Sequence, residues 1–249
     1  MNMRAEFELL IHDTPAAAAL RTAQFVADAV RAHPACVLGL ATGRSMIEVY
    51  AQLVRAHRAG QMSFAGCTSF NLDEYCDLPA GHPSSFTSYM RRHLFNHVDF
   101  APGHWHLPDG AGTPESADAF ERAIRAAGGI DLQLLGVGLN GHIGFNEPGS
   151  APASRTRKVG LVPSTRQANA PDFPADEAVP EAAVTMGIAT ILDARHIVLL
   201  ATGAAKADAL RRAFQGPVDP ECPASILQRH DRVTVICDTA AASALRVDA

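Results

Sequence analysis

Among the 249 residues there is no run of 18 apolar side chains, so no transmembrane helix is expected. The first thirteen residues, Met1 to Asp13, are acidic and lack a long apolar core, which argues against a secretory signal and for a cytoplasmic protein. Positive charge is not in excess. A net charge of −5 leaves no basic face for nucleic acid. The five cysteines are an odd number with no C-x-x-C pair, which fits reduced thiols better than a disulfide framework. There is no H-E-x-x-H zinc motif, no G-x-S-x-G elbow and no complete P-loop. Internal repeats and low-complexity tails are also missing.

What is present reads as a globular protein. Hydrophobic residues make up 47% and charged residues 19% of the chain, and its length suits one large domain or two small ones. Short apolar strands alternate with helical periodicity. Phe7 to Ile11 is a predicted strand, and Thr14-Pro15 then reads as a helix cap followed by proline at the first helical position. Leu20, Ala23, Ala27 and Val30 recur at helical spacing. A strand over Cys36 to Leu40 leads to a helix with Met46, Ile47, Tyr50, Leu53 and Val54 on one face. Further strands are expected at Thr68 to Leu72, Leu132 to Val137, His196 to Leu200 and Val233 to Cys237. Helices are expected at about Ser84 to Asn96, Pro114 to Ala127, after Cys222-Pro223, and from Thr239 onward. This order predicts an α/β fold: a three-layer, Rossmann-like open sheet, mostly parallel, with helices on both faces. One domain over residues 1–249 is expected. The proline-rich stretch at about 161–183 is its candidate lid.

The most informative stretch follows the predicted strand at Leu132. Gly136 to Gly141 matches G-x-G-x-x-G, the dinucleotide fingerprint. That motif needs a helix at its third glycine and an acid about 20 residues on. Gly144, Pro148 and Gly149 forbid the helix, and the downstream region is basic, with Arg155, Arg157 and Lys158. A redox cofactor is therefore not expected. Instead the loop carries an imidazole, His142, and a carboxylate, Glu147.

Other predicted strand ends carry polar groups toward the same sheet edge, where open α/β sheets bind ligands. Thr42-Gly43-Arg44-Ser45 combines hydroxyls, a cation and a helix N-terminus, which together suit an anion. Asp73 directly follows an apolar strand and is a candidate general base. Thr202-Gly203 repeats the first turn and precedes Lys206, whose charge opposes the helix dipole and so suits a bound anion. His93, His97, His104 and His106 have spacings that can bind metal. No glutamate or cysteine cluster joins them, so a structural or solvent-facing role and no metal site are expected. The set points to proton transfer on a phosphorylated small molecule, with His142 exchanging protons near neutral pH and Glu147 orienting it.

LGLATG (38–43), SFNLDEY (69–75), HPSSF (82–86), GVGLNGHIGFNEPGS (136–150), SRTR (154–157) and LLATGAAK (199–206) together resemble the glucosamine-6-phosphate deaminase (isomerase) family over about Leu38 to Asp238. GHIGFNEPG resembles the deaminase branch, because the related 6-phosphogluconolactonases continue differently after GH. The resemblance implies conversion of glucosamine 6-phosphate and water to fructose 6-phosphate and ammonia without a cofactor. It makes Asp73 the proton carrier between C2 and C1 and gives ring opening to His142 and Glu147. Thr42, Gly43, Arg44, Ser45 and Lys206 would hold the phosphate, with Gly138 a further candidate substrate-binding residue.

The chain departs from the family at several points. Asn140 stands where many members have aspartate, which would reduce a His–carboxylate triad to His142 with Glu147. Pro171 takes the place of a basic residue, and Arg44 replaces a glycine and is expected to substitute for that lost phosphate contact. Ser150 and Arg157 of the allosteric site of hexameric relatives remain. Ala151 and Val159 do not match it, so little allosteric activation and a monomer or small homo-oligomer are expected. The LATG turn and CPASILQRH (222–230) also resemble galactosamine-6-phosphate deaminases, which leaves that epimer as an alternative substrate. A lactonase is a further alternative. So is a non-catalytic sugar-phosphate sensor, although a sensor would need a DNA-binding region that is not evident here.

Overall fold

The computed structural model describes residues 7–246. In chain order its elements are β1 (Glu8–His12), α1 (Pro15–Ala32), β2 (Val37–Leu40), α2 (Arg44–Arg58), β3 (Thr68–Asn71) and β4 (Asp73–Tyr75). Then come α3 (Phe86–His93), β5 (Trp105–His106), α4 (Pro114–Ala126), β6 (Leu132–Leu135), β7 (Arg157–Gly160) and α5 (Pro163–Asn169). The chain closes with β8 (Ala182–Thr185), α6 (Ile188–Leu192), β9 (Ile197–Ala201), α7 (Ala207–Phe214) and β10 (Val233–Asp238).

Seven strands form one sheet in the order β1-β10-β9-β6-β2-β3-β5, and every pairing in it is parallel. From β2 the chain steps outward through β3 to β5, and from β6 it steps the other way through β9 to β10. The direction of winding therefore reverses between β2 and β6. A crevice opens beyond the carboxyl ends of strands at such a switch point. β2, β6, β9 and β10 are buried along their whole length, as strands covered on both faces must be.

Local signals hold where they are strongest. Thr14 caps α1 by accepting the Ala17 amide, with Pro15 at the first helical position. Thr113 and Ser85 cap α4 and α3 in the same way. α1 packs against α2 and across β9 and β10, and Ala18, Thr22, Val26 and Val30 lie on its buried stripe. Two predicted core residues lie elsewhere: Leu20 and Ile47 are 42% and 40% exposed. Both fit helical spacing, but each falls just outside the buried stripe of its helix. The expected terminal helix is not formed either. Thr239 to Leu245 is a run of turns, and the last three residues lie outside the described part.

A second, three-stranded antiparallel sheet has the order β4-β8-β7. β3 ends at Asn71, and two residues later the chain joins this second sheet at Asp73, opposite Thr185. The stretch at 161–183, expected as a long loop, instead contains α5 and a 3₁₀ turn at Ala170–Asp172. Its Leu161, Phe173 and Val179 join Tyr75, Phe145 and Ala183 in a small apolar cluster separate from the main core.

Candidate active site

The switch-point crevice is a pocket of about 400 Å³. Its lining comes from the turn after β2, the start of β4, the loop after β6, α5 with its 3₁₀ extension, and Lys206. Among the sequence-derived candidates, Thr42, Gly43, Arg44, Ser45, Asp73, Gly138, His142 and Lys206 all line it. Asn140 and Glu147 stand behind His142. A larger cleft of about 880 Å³ borders Asp77, Trp105 and Asp109 but holds none of these candidates. Its buried carboxylate, Glu74, is already saturated by the amides of Tyr75, Phe86 and Thr87 and by the Thr87 hydroxyl.

At the first turn, Gly43 has φ +104°, a conformation that side chains other than glycine's resist, and α2 begins immediately after it. Two tyrosines hold the turn from outside. Tyr50 Oη donates to the Ala41 carbonyl, and Tyr89 Oη donates to the Gly43 carbonyl at 2.7 Å. With the carbonyls occupied on that side, the α2 N-terminus, Thr42 and Ser45 face the pocket, as an anion site requires. The second turn has the same Ala-Thr-Gly sequence and a similar glycine, φ +87° at Gly203. Here the buried carboxylate of Asp238 accepts the Gly203 amide at 3.0 and 3.1 Å. This turn therefore contributes Lys206. Burial lowers the pKa of that ammonium, with no carboxylate among the described residues to offset it. A half-buried cation without a partner is suited to an incoming phosphate.

Asp73 is 6% exposed, and its Oδ1 finds no partner among the described residues. Burial pushes its carboxyl up to about 8, the neighbouring Glu74 charge adds to this, and the Thr42 hydroxyl pulls the other way. A carboxyl poised near neutral pH in a pocket is a competent general base.

The imidazole is reached through a relay. Asn140 Nδ2 donates to Glu147 Oε2 at 2.7 Å, and Asn140 Oδ1 lies 2.8 Å from His142 Nδ1. Glu147 itself is 3.6 Å from that nitrogen. The expected His142–Glu147 pair is therefore within ion-pair reach, and Asn140 adds a hydrogen-bonded bridge between the two. Burial would raise Glu147, but hydrogen bonds from its neighbours and the charge of His142 bring it down to about 2. As a carboxylate it can only accept, so it must face the Asn140 amide nitrogen. Asn140 Oδ1 is then left to accept the Nδ1 proton of His142. That tautomer frees Nε2 as a base toward the pocket.

Gly138 serves this geometry sterically. A Cβ there would lie 2.2 Å from His142 ring atoms, and its amide already donates to the His142 carbonyl at 2.9 Å. It makes room for the imidazole and closes the turn.

The basic patch after the loop is not part of the pocket lining. Arg155 pairs with Asp193, Lys158 lies 3.8 Å from Asp77, and Arg157 donates to Asn146 at 2.9 Å. The four histidines also have other partners. His97 contacts Arg58 and the Arg92 carbonyl, His104 the Cys67 carbonyl, His106 stacks on Phe70, and His93 packs on Tyr89. Among the described residues no three His, Cys, Asp or Glu side chains converge as a metal site.

Sequence reasoning missed the residues of α5 and its extension. Thr165 donates to Glu147 Oε1, Asn169 donates to Tyr75 Oη at 2.9 Å, and Asp172 accepts from Arg44 at 3.1 Å. The A-N-A-P-D run signalled only a loop.

An open parallel sheet with a phosphate-suited turn, a buried base and an oriented imidazole at its switch point defines a Rossmann-like enzyme of proton-transfer chemistry. The family model for glucosamine-6-phosphate isomerases and 6-phosphogluconolactonase matches residues 12–236, and the chain belongs to that family. A glucosamine-6-phosphate deaminase of Rhodopirellula baltica is 53% identical over 92% of both chains. Glucosamine-6-phosphate deaminase 2 of Bacillus subtilis is 48% identical over 90% of this chain and 92% of its own. The structure of a monomeric glucosamine-6-phosphate deaminase superposes with TM-score 0.92 at 41% identity, covering 95% of this chain and 99% of its own. The 6-phosphogluconolactonase of Trypanosoma cruzi shares the fold at 21% identity and TM-score 0.80.

Proposed function

We propose that the protein is a glucosamine-6-phosphate deaminase, converting glucosamine 6-phosphate and water to fructose 6-phosphate and ammonia. The observation that carries this reading is the pairing of Asp73, a buried carboxyl near neutral poise, with His142, whose free nitrogen is fixed by Asn140 and Glu147.

The phosphate is received by the Thr42–Ser45 turn and Lys206. His142 Nε2 takes the proton from the sugar's anomeric hydroxyl and returns one to the ring oxygen, opening the ring. Asp73 then removes the C2 proton and delivers it to C1 while the nitrogen gives up a proton and O1 gains one, turning the open-chain 2-amino aldose into the C2 imine of the ketose. Water adds to the C2–N double bond and ammonia leaves. The substrate's own C2 ammonium would favour the charged form of Asp73, so a base raised in the free enzyme becomes competent once substrate binds.

Residues 161–183 act as a lid within a single domain. Thr165, Ala168, Asn169 and Asp172 line the pocket's outer side. Arg157 is engaged by Asn146 and Ser150 within the chain, which supports weak or absent allosteric activation and a monomer or small homo-oligomer. No described helix is long and apolar enough to cross a membrane.

Ammonia release from glucosamine 6-phosphate and galactosamine 6-phosphate should be measured side by side without added metal or cofactor. Release from the first, with fructose 6-phosphate formed, is expected. Release from the second alone would move the enzyme to the other epimer. Release from neither would remove the deaminase reading.

A further inference from the structure

The relay behind His142 has a terminal member that the mechanism above does not use. Glu147 has two carboxylate oxygens. Oε2 accepts from Asn140, and Oε1 accepts from the hydroxyl of Thr165. Thr165 is only 6% exposed. A helical threonine hydroxyl can bond back to a carbonyl one turn earlier or face solvent. Thr165 instead bonds to a carboxylate 18 residues away in sequence.

The chemistry explains why that bond matters. A carboxylate held at one oxygen can rotate about its side-chain torsions and lose Asn140 Nδ2, leaving the His142 amide, 3.2 Å from Asn140 Oδ1, as the only backbone tie on that side chain among the described residues. Only while Asn140 Nδ2 faces Glu147 does Asn140 Oδ1 accept the His142 Nδ1 proton, leaving Nε2 as the base. A second donor on Oε1 fixes the carboxylate plane and hence the orientation of each group in line. That donor comes from α5, not from the sheet edge that carries the other relay members. α5 and its extension have two further side-chain ties to the pocket, Asn169 to Tyr75 and Asp172 to Arg44, and neither touches the relay.

We propose that Thr165 is a positioning residue for ring opening, holding Glu147, and through it Asn140 and His142, in register when α5 covers the pocket. Its substrate rests on the deaminase reading above, but its geometry does not. Because the Asn169 and Asp172 ties remain, loss of the Thr165 hydroxyl leaves α5 in place and costs the relay alone.

The test compares Thr165→Val, which keeps the shape and loses the donor, with Thr165→Ser, which keeps the donor. Steady-state rates on glucosamine 6-phosphate are read together with inhibition by the open-chain alditol of the substrate, which needs no ring opening. Thr165→Val should lower kcat roughly tenfold and leave KM and the alditol Ki within about twofold, the pattern of an interaction that acts in the transition state. Thr165→Ser should restore most of kcat. A Thr165→Val enzyme with wild-type kcat overturns the proposal. So does a loss of rate matched by an equal rise in the alditol Ki that serine does not repair, since that describes a displaced lid.

A second readout needs no turnover. The His142 Nδ1 proton, sheltered by Asn140, should give a slowly exchanging NMR resonance that broadens or vanishes in Thr165→Val. An unchanged resonance refutes the positioning role. If the wild-type protein releases no ammonia from either amino sugar phosphate, the deaminase reading fails while the His142 resonance still decides the role of Thr165.

Discussion

The pocket has an inner wall made of strand ends and an outer wall made of α5 and its 3₁₀ extension. The inner wall carries Thr42, Asp73, His142 and Lys206 on turns that directly follow, or open, buried strands. The outer wall carries Thr165, Asn169 and Asp172 on a short helix and its extension, tied to the pocket by one side-chain contact from each of these residues. Backbone pairing holds the strands that carry the first set: β2, β6 and β9 are paired on both sides, and β4, which carries Asp73, is paired with β8. The second set is placed by the very contacts it makes. Chemistry is therefore expected to be concentrated on the inner wall, and control of geometry and access on the outer one.

The two Ala-Thr-Gly turns of the inner wall show the same contrast at smaller scale. Both place a glycine in the left-handed region after a strand. At the first, tyrosines take the carbonyls and the helix N-terminus faces the pocket. At the second, Asp238 takes the glycine amide, so the turn acts through its lysine. Identical tripeptides are given different work by what packs behind them.

Substitutions rank the two walls, and the largest effect should fall on Asp73. Asp73→Asn should lower kcat by about 10²–10⁴-fold while the far-ultraviolet spectrum and the melting transition persist. Its effect on stability has a definite sign. The carboxyl is raised from 3.8 to about 8, so the folded state binds a proton that the unfolded state has lost between those values. Wild-type stability should fall as pH rises through that window, and the penalty is complete above about pH 8. Asp73→Asn should then melt no lower than wild type at alkaline pH. A variant that melts far lower there would mean Asp73 is structural, and the inner wall would lose its claim to the chemistry.

Lys206→Met comes next. It should raise KM roughly 10- to 100-fold, the worth of a hydrogen bond to a charged group, with a smaller change in kcat. An unchanged KM would place the phosphate elsewhere. Arg44→Ala should raise KM by about fivefold or less, since this exposed side chain already shares its charge with Asp172. An unchanged KM would refute its substitution for the missing phosphate contact at Pro171. Smallest of all, Asp172→Asn should lower KM by about twofold by releasing Arg44 to the phosphate. A raised KM would mean instead that the pair holds the outer wall in place.

The inner wall was legible in the sequence and the outer wall was not, and the reason is physical. An apolar run followed by glycine marks a strand end from local chemistry alone, so the Thr42 turn, Asp73, His142 and Glu147 could be set at one sheet edge from their neighbours in the chain. The strands of the second sheet offer no such signal. Asp73-Glu74-Tyr75 is three residues long and mostly polar, and Arg157–Gly160 alternates without a strongly apolar face. They are strands because they pair with β8 across long stretches of chain. Leu20 and Ile47 failed for a related reason: helical spacing sets a stripe but not its edges. The place of Asn140 was half visible. Its difference from aspartate could be read, but not its position between His142 and Glu147.

By itself, then, the sequence determined the parallel α/β order, the glycine turns at the strand ends and the residue types of the proton-transfer set, because each depends on neighbours in the chain. Only the tertiary structure decided that Asn140 bridges Glu147 and His142, that Asp238 occupies the second turn, and that a threonine from α5 completes the relay. Those contacts join segments with no local pattern in common, and burial with directional hydrogen bonding selects them once the sheet has brought its strand ends together.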